Sequence, residues 1–453
     1  MRLLGERNEQ ELVLRGVLAV QGPQGDVGVG RNVAHLHGVV ATRGGQLPGS
    51  VDEPSPSSSG FERADHVETV PGSARTRSSN VDAMRTRLTD AFEIEFPIFA
   101  FSHCRDVVAA VSKAGGLGVL GAVYFTPDEL EIELRWIDEH VDGKPYGVDL
   151  VMPAAYEGAD LESEEDFESL LEKMIPREHR DFVERTLERF SVPPLPESVD
   201  EPHHLLGWTD ATARPQLEVA FEHPIALLAN ALGPPPVDVV EQAHERGVKV
   251  AALAGAARHA ERLVESGVDV VVAQGTEAGG HTGDVASMVL IPEVVDAVAP
   301  TPVLGAGGIG SGRQVAAALA LGAEGVWTGS IWLTTQEGDT PPAALGKLLD
   351  ATSRDTVRSR VLTGKPARQL RTAWTEAWEA EDSPGYLPMP LQFMLTAEAQ
   401  QRIWRSDNSD LTGFPVGQVV GSMNKVRPAR DVMFDLIEGY IEATERLDTI
   451  NAE

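Results

Sequence analysis

The chain has a single cysteine, Cys104, in 453 residues. An internal disulfide and any cysteine-based zinc cluster are therefore excluded, a usage that fits a reducing compartment. Basic residues are scarce as well: 38 Lys and Arg stand against 69 Asp and Glu, a formal charge of −31. A field of that sign repels phosphate backbones and anionic lipid headgroups, so no nucleic-acid or membrane partner is expected. No apolar run approaches the roughly 18 residues of a membrane-spanning helix. The opening MRLLGERNEQELVLRGVLAV carries Glu6, Glu9, Glu11 and Arg15 where a signal peptide needs an unbroken apolar centre. The expectation is a soluble, cytoplasmic protein, with homo-oligomerisation left open.

What is present is ample chain for a large core. Residues 1–80 mix glycine pairs, the run Pro54–Gly60 and scattered arginines without sustained period 2 or 3.6. This composition predicts a poorly ordered extension or an over-long start, the alternative being a small docked arm around Leu12–Val20. From about Arg85, short apolar runs alternate with helical segments, as in parallel strands linked by crossover helices. Strands are predicted at Phe96–Ala100, Leu117–Gly121, Tyr146–Met152, Ile225–Ala229, Val248–Leu253, Val268–Ala273, Pro302–Ala306 and Gly325–Thr328. Helices are predicted at Asp106–Ala114, Pro127–His140, Pro236–Arg246, Ala256–Ser266, Pro292–Val298 and Gly312–Leu321, several opened by proline as helix starts prefer. Eight such steps over roughly 250 residues predict an α/β fold, a (β/α)8 TIM barrel over 81–335.

The third step is oversized. Residues 157–201 hold 15 acidic and 5 basic side chains, with helical apolar spacing at Phe167, Leu170, Leu171 and Met174. The segment 157–215 reads as an acidic helical insertion, chiefly a solvated face, in the position of a lid because it follows a strand's carboxyl end. Residues 336–453 read as a C-terminal helical region packing on the barrel. This region is rich in tryptophan (Trp374, Trp378, Trp404) and ends in the amphipathic Val432–Leu447, expected to cover the barrel mouth or form a subunit contact.

Two glycine-rich turns follow the last two strands. Val303–Arg313 ends a strand and opens a helix, and its missing side chains let backbone N–H groups approach an anion. Val326–Ser330 repeats a small-residue turn one strand later, where barrels of this type hold a phosphate. Tight turning alone would also explain Gly305, Gly307 and Gly310. Their G-x-G-x-x-G spacing further fits a dinucleotide fingerprint, but that needs an acidic residue ending the next strand, and this strand ends in Trp327-Thr328-Gly329. In Val272–Gly283 a third glycine-rich loop carries Gln274, Glu277 and His281. Gln274 offers a donor and an acceptor to a heterocycle edge, and His281 has the side chain suited to moving a proton near neutral pH.

At these residues the sequence resembles the nitronate monooxygenase family, formerly 2-nitropropane dioxygenases, which are FMN-dependent TIM-barrel oxidoreductases. The resemblance runs from about Arg85 to Val420 and lies in Thr86–Asp90 with Phe96–Ile98, Ala114–Gly121, Ala273–Gly283, Gly305–Arg313, Leu321–Ser330 and Thr363–Arg368. The string Gln274-Gly-Thr-Glu-Ala-Gly-Gly-His-Thr-Gly283 is its most specific part. It implies that Gln274, Gly279 and Gly280 contact the flavin, that Gly307, Gly308, Trp327, Thr328, Gly329 and Ser330 hold its phosphate, and that His281 is catalytic. No metal is implied. The implied reaction is oxidation of a nitronate, such as propionate 3-nitronate, or of a nitroalkane, by O2 to a carbonyl product and nitrite. The alternatives are an FMN-dependent NAD(P)H enoyl-thioester reductase and a flavin-binding barrel without turnover.

The chain departs from the family at two places beside the flavin ring. His103, in Phe101-Ser-His103 before Cys104, stands where the family has Ala-Pro-Met, and Asp149 stands where it has asparagine. His103 and Cys104 also suggest a thiol nucleophile with its base, but adjacent residues on an extended segment point to opposite faces, so Cys104 reads better as a buried small hydrophobe.

Overall fold

The computed structural model describes Val17–Gln21, Val27–Arg31 and residues 84–153, 167–196, 209–406 and 408–452. Eight parallel strands close into a barrel, as predicted: β1 Ile98–Ser102, β2 Leu117–Gly121, β3 Tyr146–Val151, β4 Leu227–Ala231, β5 Lys249–Ala254, β6 Val270–Gln274, β7 Val303–Ala306 and β8 Gly325–Thr328. Each pairs with the next, and β8 closes on β1 through Trp327 opposite Phe99. Alternation sorts each strand between two cores. Phe99, Leu117, Val119, Leu227, Ala229, Val270, Val272, Leu304, Ala306 and Trp327 fill the interior. Val148, Leu150, Val250, Val271 and Val326 face the surrounding helices. With both faces covered, the strands are apolar nearly throughout.

Most helices fall where the sequence puts them. Pro127–His140 is fixed locally by a capping box between Thr126 and Glu129 and by proline in its first turn. The helix expected at Pro292–Val298 instead begins at Ser287. Its first turn is satisfied from outside, since the Glu277 carboxylate accepts from Ser287 N at 3.0 Å, so Pro292 is carried inside the helix rather than at its start.

The last helix, Ala429–Ala452, does not lie over the mouth. Met433, Leu436, Ile437 and Tyr440 join the barrel's outer core, and the helix packs beside Gly312–Ala320 and Arg105–Lys113. It thus takes the eighth place in the helix ring. Gly312 permits the contact: a Cβ there would lie 2.1 Å from Tyr440 N.

The mouth is covered by the segment before that helix. Met389 and Phe393 pack on Val123, Val151, Ala231 and Leu232, at the carboxyl ends of β2 to β4. Behind this contact lies a second core. Helices Phe167–Met174 and Arg177–Arg189 of the acidic insertion bury Leu171, Phe182, Val183 and Leu187 against Trp374, Trp378 and the helix Leu391–Arg405. The buried Arg402 ties the two together, donating to Glu184 at 2.7 Å and to Pro193 O at 3.0 Å. The insertion therefore has a solvated acidic face and an apolar docked one.

Within 1–80, Val17–Gln21 and Val27–Arg31 form an antiparallel pair, an element the sequence does not announce. The expected poor order of that region otherwise concerns residues outside those described, as does the arm proposed around Leu12–Val20 except at its end.

Candidate functional site

The site stands at the carboxyl ends of the strands, where alternation aims each strand's last inward side chain at the mouth. On β6, Val270 and Val272 point inward, so Gln274 does too, in register with Ala306 of β7. The Gln274 amide makes no hydrogen bond to another described residue. Trp327 continues this row on β8 and stacks against Phe101 at 6.3 Å between ring centres. The indole thus belongs to the top of the interior core. Thr328 points the other way: its hydroxyl donates to Phe99 O and accepts from Trp332 Nε1, both at 3.0 Å. At the turn after β8 Trp327 and Thr328 therefore offer backbone alone.

Beyond β7 and β8 the backbone turns tightly. Gly307 and Gly308 are both left-handed, at φ 99° and 67°. A glycine turn of this kind exposes backbone N–H groups with no side chain to bar an anion. Ser330, after Gly329 on the neighbouring turn, holds Gly417 N on its hydroxyl at 2.9 Å. Gly279 has a different use: a Cβ there would meet Gly417 N and Val416 Cα at 2.8 Å, so it admits the C-terminal segment. Gly280, left-handed at φ 73°, has open space where a side chain would stand.

Next to Gly280, His281 is held by a part of the chain remote in sequence. Gly280–His281 forms a short strand against Ala367–Leu370, with His281 opposite Ala367. Thr282 N donates to Pro366 O at 3.2 Å. His281 Nε2 is hydrogen-bonded to Thr363 Oγ1 at 2.6 Å. Burial, assisted by the nearby Lys365 ammonium, lowers the imidazole pKa to about 4, so the ring is neutral at physiological pH. Glu277, from the same loop, caps the helix at Ser287 and is not aimed at the mouth.

Across the mouth, His103 Nδ1–H donates to Gly121 O at 2.8 Å, and its ring lies 5.2 Å from that of Tyr124. Burial lowers its pKa, so this imidazole too is disposed to be neutral. Cys104 is turned away, with Sγ–H directed at Glu337 O at 3.1 Å and burial raising the thiol pKa. A Cys104–His103 nucleophilic pair is thereby ruled out. Asp149 faces the interior beside Gly121 and Ala229 and is 5% exposed. Burial raises its carboxyl to about 7, and no described residue hydrogen-bonds it.

The structure thus gathers Gln274, Gly280, His281, Gly307, Gly308, Gly329, Ser330, Asp149 and His103 around one mouth. Thr363 and Lys365 were not singled out individually by sequence. The signal was there, because Thr363–Arg368 is part of the family resemblance, but nothing local ties a threonine to a histidine 82 positions away.

A closed barrel with glycine turns after β7 and β8 and a histidine loop after β6 defines a class of β/α-barrel oxidoreductases. The nitronate monooxygenase family profile matches residues 85–439, and the chain belongs to that family. Similar curated proteins, under provisional names, include the monooxygenase Rv1533 of Mycobacterium tuberculosis, 56% identical over 80% of this chain and 98% of its own length. A nitronate monooxygenase of Staphylococcus saprophyticus is 30% identical over 74% of this chain and 92% of its own. Among solved structures, nitroalkane oxidase of Streptomyces ansochromogenes superposes with a TM-score of 0.66 at 26% identity, covering 80% of this chain and 99% of that one. FabK of Thermotoga maritima gives 0.61 at 27% identity, covering 81% and 99%. Among the described residues no helix is long and apolar enough to cross a membrane.

Proposed function

We propose that this chain is an FMN-dependent nitronate monooxygenase that converts alkyl nitronates, such as propionate 3-nitronate, with O2 to a carbonyl product and nitrite. The observation that carries the reading is His281: a neutral imidazole at the carboxyl end of β6, beside an open glycine and across from a left-handed glycine turn. The residues present fit the cofactor. Gln274 has an unengaged amide for a heterocycle edge, Gly280 leaves space for a flat ring, and the N–H groups of Gly307, Gly308, Gly329 and Ser330 suit an anionic tail. Bound FMN supplies the electron transfer between nitronate and O2.

His281 then has a specific task. A ring whose conjugate acid has a pKa of about 4 is a weak base at neutral pH. It suits a substrate that arrives already deprotonated, which it orients by hydrogen bonding, better than a nitroalkane whose carbon-bound proton must be removed. The cover formed by Met389 and Phe393 keeps bulk water from the strand ends beneath it.

The likeness to FabK supports a second reading, an FMN-dependent NAD(P)H enoyl-thioester reductase. Purified protein should be yellow and release FMN on denaturation, and anaerobic mixing separates the two readings. Bleaching by propionate 3-nitronate and not by NADPH supports the monooxygenase; bleaching by NADPH alone supports the reductase. Protein that keeps FMN and responds to neither would be a flavin-binding barrel without turnover.

A further inference from the structure

The turn that supplies Thr363 also carries a cation with no counter-ion among the described residues. Lys365 N donates to Thr363 Oγ1 at 3.4 Å, and Thr363 Oγ1 holds His281, so the lysine leaves the backbone two residues from the histidine's partner. Burial and, after it, the field of this ammonium lower the imidazole pKa. Lys365 is half-buried, and its ammonium makes no ion pair or hydrogen bond with a described residue.

The surroundings make this unusual. Acidic side chains outnumber basic ones 69 to 38, so a structural lysine has abundant partners to choose from. Three other charges on the neighbouring strands and loop are committed. Arg358 pairs with Asp284. Arg368 donates to Thr276 O at 2.8 Å and Thr356 Oγ1 at 3.1 Å. Glu277 is held by Ser287. A partly desolvated charge without a partner is costly, and an arriving anion offsets that cost.

We infer that Lys365 is the substrate-recognition cation of this site, taking a planar two-oxygen anion, the O–N–O of a nitronate or the O–C–O of a carboxylate carried by the same substrate. The inference deepens the proposed function and rests on it for the place where substrate binds. It assigns the C-terminal turn two tasks: Thr363 fixes the imidazole, and Lys365 fixes the charge that the imidazole, being neutral, does not balance. Lys365 is a binding residue here and moves no proton.

The test is equilibrium binding, read apart from turnover. Flavin-loaded protein is titrated with nitrite, an unreactive O–N–O anion, and separately with propionate, following the flavin spectrum and the heat of binding. Saturable binding is expected for at least one. Lys365→Gln should weaken it about 10- to 100-fold, as for loss of one charge-assisted hydrogen bond. Lys365→Arg should restore it to within about threefold, and the neutral propionamide should not discriminate among the three proteins. Weakening confined to nitrite assigns Lys365 to the reacting nitronate, weakening confined to propionate assigns it to a remote carboxylate, and weakening of both makes it a general oxyanion holder. Unchanged anion affinity in Lys365→Gln, with flavin content and unfolding temperature retained, overturns the inference, as does absence of saturable binding to the wild type. Oxygen uptake with nitronates is measured independently: lack of uptake with intact anion binding defeats the proposed function and leaves the anion site standing.

Discussion

His281 Nε2 and Thr363 Oγ1 stand 2.6 Å apart across 82 residues of chain. The histidine comes from the loop after β6 and the threonine from the segment that covers the barrel mouth. The site is therefore complete only when that segment is docked, and the docking is secured by the ladder of Gly280–His281 against Ala367–Leu370 and by Gly417 on Ser330.

Replacing His281 by asparagine should leave flavin bound and lower turnover with propionate 3-nitronate about 10²- to 10⁴-fold. The pH profile gives a sharper check. Because burial holds the imidazole pKa near 4, the neutral ring persists well below the pH at which a free histidine titrates. As far as His281 is concerned, kcat/KM of the wild type should stay flat from about pH 8 to about pH 5 and fall only below that. An acid limb centred near 6.5 that disappears in the His281→Asn protein would show that the ring is charged in that range and contradict the assignment.

Gly308→Ala tests the glycine turn. At φ 67° a Cβ is strained, and it would stand 3.2 Å from Glu277 Cβ. Relief requires the backbone to leave the left-handed region, which redirects the turn's N–H groups. Flavin affinity should drop at least about tenfold, with a stability loss of about 1–2 kcal/mol. Fluorescence titration of deflavinated protein reads the first and thermal unfolding the second.

Asp149→Asn should stabilise the protein in alkaline solution. The folded-state pKa of about 7 lies above the ordinary carboxyl value of 3.8, so the folded protein retains a proton that the unfolded chain has lost. Stability from this group consequently falls as pH rises from about 4 through about 7. Asparagine never ionises. The variant should gain on the order of 2 kcal/mol at pH 8 and little at pH 4, measured by denaturant unfolding at the two values. Equal shifts at both would mean that the carboxyl titrates normally.

Gly312→Ala should loosen the last helix. The new methyl would overlap Tyr440 N and the Gly439 carbonyl carbon, 2.1 and 2.3 Å away. The expected loss is about 1–3 kcal/mol, with faster hydrogen exchange along Ala429–Ala452 and only a small change in flavin binding, because the helix touches the ring and not the mouth.

Much of the barrel was legible because its information is local. Leu117–Gly121 and Gly325–Thr328 are short apolar runs bounded by glycine or polar residues, and Thr126-Pro127 with Glu129 caps its helix within four residues. The histidine loop and the glycine turns could also be found, since glycine content and position after a strand are linear properties. The helix at Ser287 could not be placed because its cap, Glu277, lies ten residues upstream.

By itself, then, the sequence determined the strand and helix pattern and the family, and it offered candidates for the mouth without Thr363 or Lys365 among them. Tertiary structure decided where the two apolar stretches after β8 go: one over the mouth, the other back into the helix ring. Amphipathic spacing tells a helix that it must bury a face, not which surface will receive it. It was likewise tertiary structure that made His281 neutral and set Asp149 and Lys365 where no described residue pairs with their charges. Burial and electrostatic proximity depend on segments that meet only after folding.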